Sequence, residues 1–141
     1  MHPILRNLLA VLAGLIIGGF VNGGLVQLGM KILPMPGIVY DPDNLEPFLD
    51  FMNNKADYRY FLSPFIAHAL GSLVGAFVCA KIAISKRRTL ALVIGGFFLI
   101  GGVYMAQLIP NAPLLFTCSD LILASLPAAW LGYYIAKKDL A

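Results

Sequence analysis

The run 61–84, FLSPFIAHALGSLVGAFVCAKIAI, holds no acid and one cation, Lys81, close to its end. It is long enough to cross the ~30 Å hydrocarbon core of a bilayer as a helix. A helix is also one of only two backbone forms that satisfy their own hydrogen bonds there. Three more runs share this character: 7–30, 90–109 and 114–136. Only the last contains a formal charge, Asp120. Hydrophobic residues make up 60% of the chain and charged residues 12%, and the charges cluster between the runs. The expected fold is therefore an all-α integral membrane protein. It is a single domain over 1–141, a four-transmembrane-helix bundle with a short external amphipathic helix.

The net charge of +3 is not a nucleic-acid signal, because the basic residues flank the apolar runs, where they set orientation. Arg6, the cluster Lys81, Lys86, Arg87 and Arg88, and Lys137 with Lys138 fall on one side. Lys31, Lys55 and Arg59 fall on the other, among the acids. The positive-inside rule then puts both termini in the cytoplasm. Compactness suggests a bacterial inner membrane. The first run exceeds the ~7–15 apolar residues of a signal peptide core, so it reads as a retained span.

Glycine is dense in the first run. Gly14 with Gly18 and Gly19 with Gly23 each make a GxxxG pair. In lipid such pairs let backbones meet closely, whereas in an isolated soluble helix each glycine costs ~1 kcal/mol. In the second run, Ala67, Gly71, Gly75, Cys79 and Ala83 form a small-residue stripe at spacing four. Aligning Ser72 with Ser125 lays this stripe on Asp120, Ala124, Ala128, Gly132 and Ala136 of the fourth run. The match suggests either a parallel internal repeat of the kind some transporters use or chance similarity of apolar sequences. In both cases Asp120 heads a packing face and points into protein. Pro127 is expected to kink the fourth span.

The long connection 31–60 opens with a Pro34–Gly37 turn. Asp41, Pro42, Asp43 and Glu46 then signal a helix start, with Asp43 and Glu46 resembling a capping box. Leu45, Phe48, Leu49 and Met52 recur at helical spacing, with Asp50 and Asn53 among the polar positions. The expectation is an amphipathic helix over about 44–53, serving either as an interfacial brace or as a lid on the bundle mouth.

The larger intramembrane polar groups gather in the half of the bundle nearest this loop: His68, Asp120, Asn22, Gln27, Tyr104 and Gln107, with Ser72 one turn below His68. The other half is nearly all apolar. An ionised carboxylate at this depth costs ~2.5–3.5 kcal/mol and needs a partner. His68 is the ionisable group at matching depth, so a His68–Asp120 pair is expected. That pair either forms a polar site or clasps two helices together, with Asn22 or Tyr104 completing it.

Signatures of other chemistry are missing. No nucleophile elbow surrounds a serine, and no phosphate-binding loop appears, so no catalytic residues are assigned. One His and one Asp make a poor metal site, and a haem would lack a second axial histidine. No metal or other cofactor is implied. Cys79 and Cys118 sit at depths differing by roughly 20 Å at ~1.5 Å rise per residue, too far for a disulfide. Trp130, Tyr133, Tyr134, Tyr58 and Tyr60 read as interfacial anchors.

In size and span count the chain is similar to several small bacterial four-helix membrane families. It departs from the small multidrug transporters, whose working glutamate lies in the first span, where this chain has no acid. It also lacks the charged signature of a fluoride channel. The expected function is that of a non-enzymatic structural or accessory membrane subunit. Such a subunit would associate through its Gly/Ala-rich faces with itself or a larger membrane complex. The alternative is a small transporter or ligand-binding protein built on His68 and Asp120. The expected partners are the lipid bilayer and either further copies of the chain or a larger membrane complex, and no nucleic acid.

Overall fold

The computed structural model describes residues 2–41 and 43–138; Pro42, part of the expected helix-start signal, lies outside them. The described residues form six helices: α1 (Pro3–Ile32), α2 (Glu46–Asn54), α3 (Tyr58–Ile82), α4 (Arg87–Leu108), α5 (Leu114–Leu123) and α6 (Leu126–Lys138). The protein is an all-α bundle with four stretches long and apolar enough to span a membrane: α1, α3, α4 and the α5–α6 pair. The spans run somewhat longer than their apolar runs, and local caps fix the starts of α1 and α3. Pro3 opens α1 at a position where its missing N–H costs nothing, and His2 Nδ1 accepts from the Ile4 N–H at 3.4 Å. Asp57 caps α3 by accepting from the Arg59 N–H at 2.9 Å. The Arg59 side chain bonds back to the same carboxyl and holds it below the usual carboxylate range.

The expected capping box at α2 does not form. Leu45 is the cap residue, with no side-chain bond, and Asp41 instead takes the Asp43 N–H at 2.9 Å in a local turn. An Asx turn satisfies the same kind of acceptor as a helix cap, and here it wins two residues earlier. The apolar face of α2 comprises Phe48, Phe51 and Met52, one aromatic more than the spacing suggests.

α3 is the central helix and touches all the other spans. Its small-residue stripe explains why. Ala67, Cys79 and Ala83 are fully buried, and Gly71 and Gly75 are buried with them. A methyl added to Gly14 would lie 2.6 Å from the Gly75 carbonyl oxygen, and one added to Gly18 would lie 2.7 Å from that of Gly71. α1 and α3 therefore meet backbone to backbone through Gly14, Gly18, Gly71 and Gly75. Gly19 and Gly23 behave differently. They are exposed, with nothing within 4 Å of where a side chain would begin, and so they do not pack inside the bundle.

On the other flank of α3, Gly132 of α6 seats against the backbone of Leu73 and Phe77. Ala124 and Ala136 are fully buried beside it, while Ala128 is half-buried. The fourth span is broken at 124–125. Pro127 cannot donate to the Leu123 carbonyl, and the buried Ser125 hydroxyl donates to the Leu121 carbonyl at 2.7 Å, a bond that competes with regular helix. α3 runs unbroken through Ser72, the residue aligned with Ser125. The break leaves α6 tight on α3 and α4, while α5 touches them lightly.

Two packing layers result. Toward the end that carries His2 and Lys138, a tight layer of Ala10, Ala76, Cys79, Ala80, Ala83, Ala91, Ile94, Ala129 and Ala136 closes the bundle. Toward the α2 end, Met35, Phe48, Phe51, Met52, Phe61 and Ile109 form a second layer. Between them the bundle is not filled.

Candidate functional site

The gap arises because α1 and α4 both lean on α3 but scarcely touch each other, and because α5 stands away from the tight α3–α6 seam. It is a cavity of about 480 Å³, within the ~300–1,000 Å³ typical of small-molecule sites. Its floor is formed by Leu15 and Phe98, and its walls carry Phe61, Phe97, Phe116 and Leu121. Phe48 and Met52 of α2 and Tyr40 of the preceding loop cover it. Tyr40 and Phe48 meet edge to face at 5.8 Å.

α2 is pinned in this position by Asn53. Its amide donates to the Leu108 carbonyl at 2.9 Å and to the Leu49 carbonyl at 3.0 Å, and its oxygen accepts from the Asn111 N–H at 3.3 Å. The Leu108 carbonyl lies at the open end of α4, where helix geometry provides no partner. Asn53 supplies one, and so ties α2 to the end of the third span. The sequence marks Asn53 only as a polar position on an amphipathic helix. Its role depends on a neighbour 55 residues away.

His68 and Asp120 meet in the cavity wall. His68 Nδ1 lies 2.8 Å from Asp120 Oδ2, and Nε2 lies 3.0 Å from the Phe98 carbonyl oxygen. The imidazole stacks on the Phe98 ring at 5.8 Å. Both residues are more than nine-tenths buried. Gly102 of α4 makes room for the pair: a methyl there would lie 2.7 Å from His68 Cε1 and 3.4 Å from Asp120 Oδ2. The second carboxylate oxygen, Oδ1, is buried without a hydrogen-bond partner among the described residues.

Of the remaining residues expected in this constellation, Asn22 and Gln27 line the cavity. Ser72 does not. It is fully buried one turn from His68, and its hydroxyl has no hydrogen-bond partner among the described residues. Tyr104 and Gln107 are exposed on the outer face of α4 and take no part; Tyr104 keeps 60% of its surface. Depth along a helix is legible in a sequence, but azimuth is less so. Both residues have the right depth and the wrong face. Pro64, Tyr40 and the aromatic lining carry no signal that separates them from ordinary apolar packing.

Gly23 and Gly101 also line the cavity, and both are exposed with open space beyond them. They stand on α1 and α4, which scarcely touch each other, and leave a notch without side chains there. Among the described residues, no group of three or more His, Cys, Asp or Glu could hold a metal ion, and both cysteines are free. No family model matches the chain, and no curated protein or solved structure matches it either.

Proposed function

We propose that this protein binds a small amphiphilic molecule within the membrane, in the cavity between α1 and α4. One observation carries the reading: a roomy, largely apolar cavity has a buried ionisable pair, His68–Asp120, set into its wall. Apolar walls with a few convergent polar groups are the usual make-up of a small-molecule site. The Gly23/Gly101 notch provides a lateral path for an apolar tail, while Asn22, Gln27 and the pair offer polar contacts to a head. α2 acts as the cover. The packed Ala/Cys/Ile layer closes the far half of the bundle, so the site is a blind pocket, and a continuous pore through one copy does not fit it.

The setting that goes with this reading is a bacterial inner membrane, with both termini in the cytoplasm and α2 outside. It rests on the basic residues flanking the spans. The accessory-subunit reading depends on glycine faces free to dock. Gly14, Gly18, Gly71 and Gly75 are used within the chain, so it now rests on Gly19 and Gly23.

Native mass spectrometry of protein extracted in mild detergent tests the binding reading. We expect a bound small molecule on the parent protein and its loss in Ala106→Trp, which projects an indole from the α4 wall into the cavity. Its absence from the parent, or equal occupancy in the indole variant, overturns the proposal.

A further inference from the structure

Both ring nitrogens of His68 face acceptors. Nε2 is 3.0 Å from the Phe98 carbonyl oxygen. A carbonyl has no proton to give, so Nε2 carries the hydrogen. Nδ1 is 2.8 Å from Asp120 Oδ2. With Nε2 already protonated, that second contact is a hydrogen bond only when a further proton sits between Nδ1 and Oδ2, on the imidazole or on the carboxyl. In both placements the pair is neutral overall.

Loss of that proton leaves a net charge of −1 and no arrangement that keeps both contacts. If the remaining hydrogen stays on Nε2, the Nδ1 lone pair faces a carboxylate oxygen. If it moves to Nδ1, the Nε2 lone pair faces the Phe98 carbonyl. Deprotonation therefore releases one partner and leaves an anionic carboxylate, whose Oδ1 already has no hydrogen-bond partner among the described residues, in the wall of an apolar cavity. An unpaired charge there is costly.

Nothing in the cavity lining neutralises such a carboxylate. Among the described residues no Lys or Arg lines it. α1 contributes the neutral amides of Asn22 and Gln27. α2 and α4 contribute no titratable group to the lining, and α6 does not reach it. Tyr40, in the cover, is the one other titratable residue of the lining among the described residues. The walls do carry aromatic rings, including Phe61, Phe97, Phe98 and Phe116, and ring faces attract cations.

We infer that the cavity takes a lipophilic organic cation in exchange for the proton of the His68–Asp120 pair. This rests on the cavity being a binding site and names the class of ligand. One cation enters, and one proton leaves Nδ1/Oδ2 for bulk water. The pair passes from neutral to −1, and the total charge in the site stays at zero. An electroneutral swap avoids the desolvation penalty that either partner would incur alone at this depth. An anion would meet the carboxylate with no compensating cation.

The test uses the full chain in lipid nanodiscs, with tetraphenylphosphonium as a permanent cation and triphenylphosphine oxide as a neutral counterpart. Calorimetry is run in two buffers of different ionisation enthalpy and corrected with protein-free discs. The exchange predicts release of about one proton per bound cation. It also predicts affinity rising about tenfold per pH unit while the pair is protonated. Asp120→Asn abolishes both effects. The proton count on the parent protein needs no variant, so it stands if Asp120→Asn fails to fold. Cation binding without proton release, or equal affinity for the neutral probe, overturns the exchange and leaves the cavity reading intact. Failure of both probes to bind overturns the exchange. If native mass spectrometry also finds no occupant, the cavity reading falls with it.

Discussion

Gly18 of α1 and Gly71 of α3 face one another so closely that neither tolerates a Cβ: a methyl on Gly18 would lie 2.7 Å from the Gly71 carbonyl oxygen, and one on Gly71 2.9 Å from that of Gly18. The neighbour in each case is backbone, which cannot rotate away. Gly71→Ala and Gly18→Ala should each destabilise the bundle by about 1–3 kcal/mol, the usual cost of overpacking. A lowered thermal midpoint in detergent reads this. Unchanged midpoints for both variants would show that α1 and α3 do not meet along this seam.

Gly19 supplies the matched contrast. It faces open space, and alanine is the better helix former by ~1 kcal/mol. Gly19→Ala should leave the monomer's stability unchanged or slightly raised. Self-association measured in the same detergent gives a second readout. Weakened association with intact stability would mark this face as the docking surface of the accessory-subunit reading.

The His68–Asp120 contact spans α3 and α5. His68→Ala and Asp120→Asn, singly and together, form a double-mutant cycle. Hydrogen bonds between membrane helices are worth ~0.6–2 kcal/mol, so we expect coupling of about that size between the two substitutions. Additive effects would mean the two side chains do not interact. Gly102→Ala should mimic the loss, since its methyl would press on His68 Cε1.

Asn53 holds the cover. Asn53→Ala removes its bonds to Leu108 and Asn111, at about 1 kcal/mol per bond. The expected result is faster amide exchange across Glu46–Asn54 with the spanning helices unaffected. Equal exchange in parent and variant would show that Asn53 does not pin α2.

Orientation can be read with an impermeant thiol reagent on intact cells, in a background with Cys79 and Cys118 replaced by alanine. Asn54→Cys should label and Arg87→Cys should not until the cells are lysed. The reverse pattern would invert the topology drawn from the basic clusters.

Much of the site was legible in the chain because membrane insertion makes polar residues conspicuous. An Asp at position 120 inside an apolar run demands a partner, and His68 is the ionisable side chain at the same depth. Helix rise alone puts the two at one depth. The stripe from Ala67 to Ala83 was equally readable, since small residues at spacing four define a face. Reading failed where two helices had to be rotated relative to each other. Tyr104 and Gln107 share the depth of His68 yet point outward, and Gly19 and Gly23 repeat the Gly14/Gly18 spacing on a face of α1 that meets nothing within the bundle. The cap of α2 failed for a different reason, since Asp41 and Asp43 compete for the same turn and local geometry decides between them.

Class, the four spans, the existence of a short amphipathic helix before the second span and the chemical identity of the buried pair all follow from the order of residues. Hydrocarbon imposes those choices on any chain this apolar, residue by residue. Tertiary structure alone decided that α1 and α4 part company, that the break at 124–125 holds α5 away from the α3–α6 seam, and that Asn53 fastens α2 over the resulting space. A cavity is made of what fails to touch. It follows from the relative rotation and tilt of helices, and those depend on contacts between residues far apart in the chain.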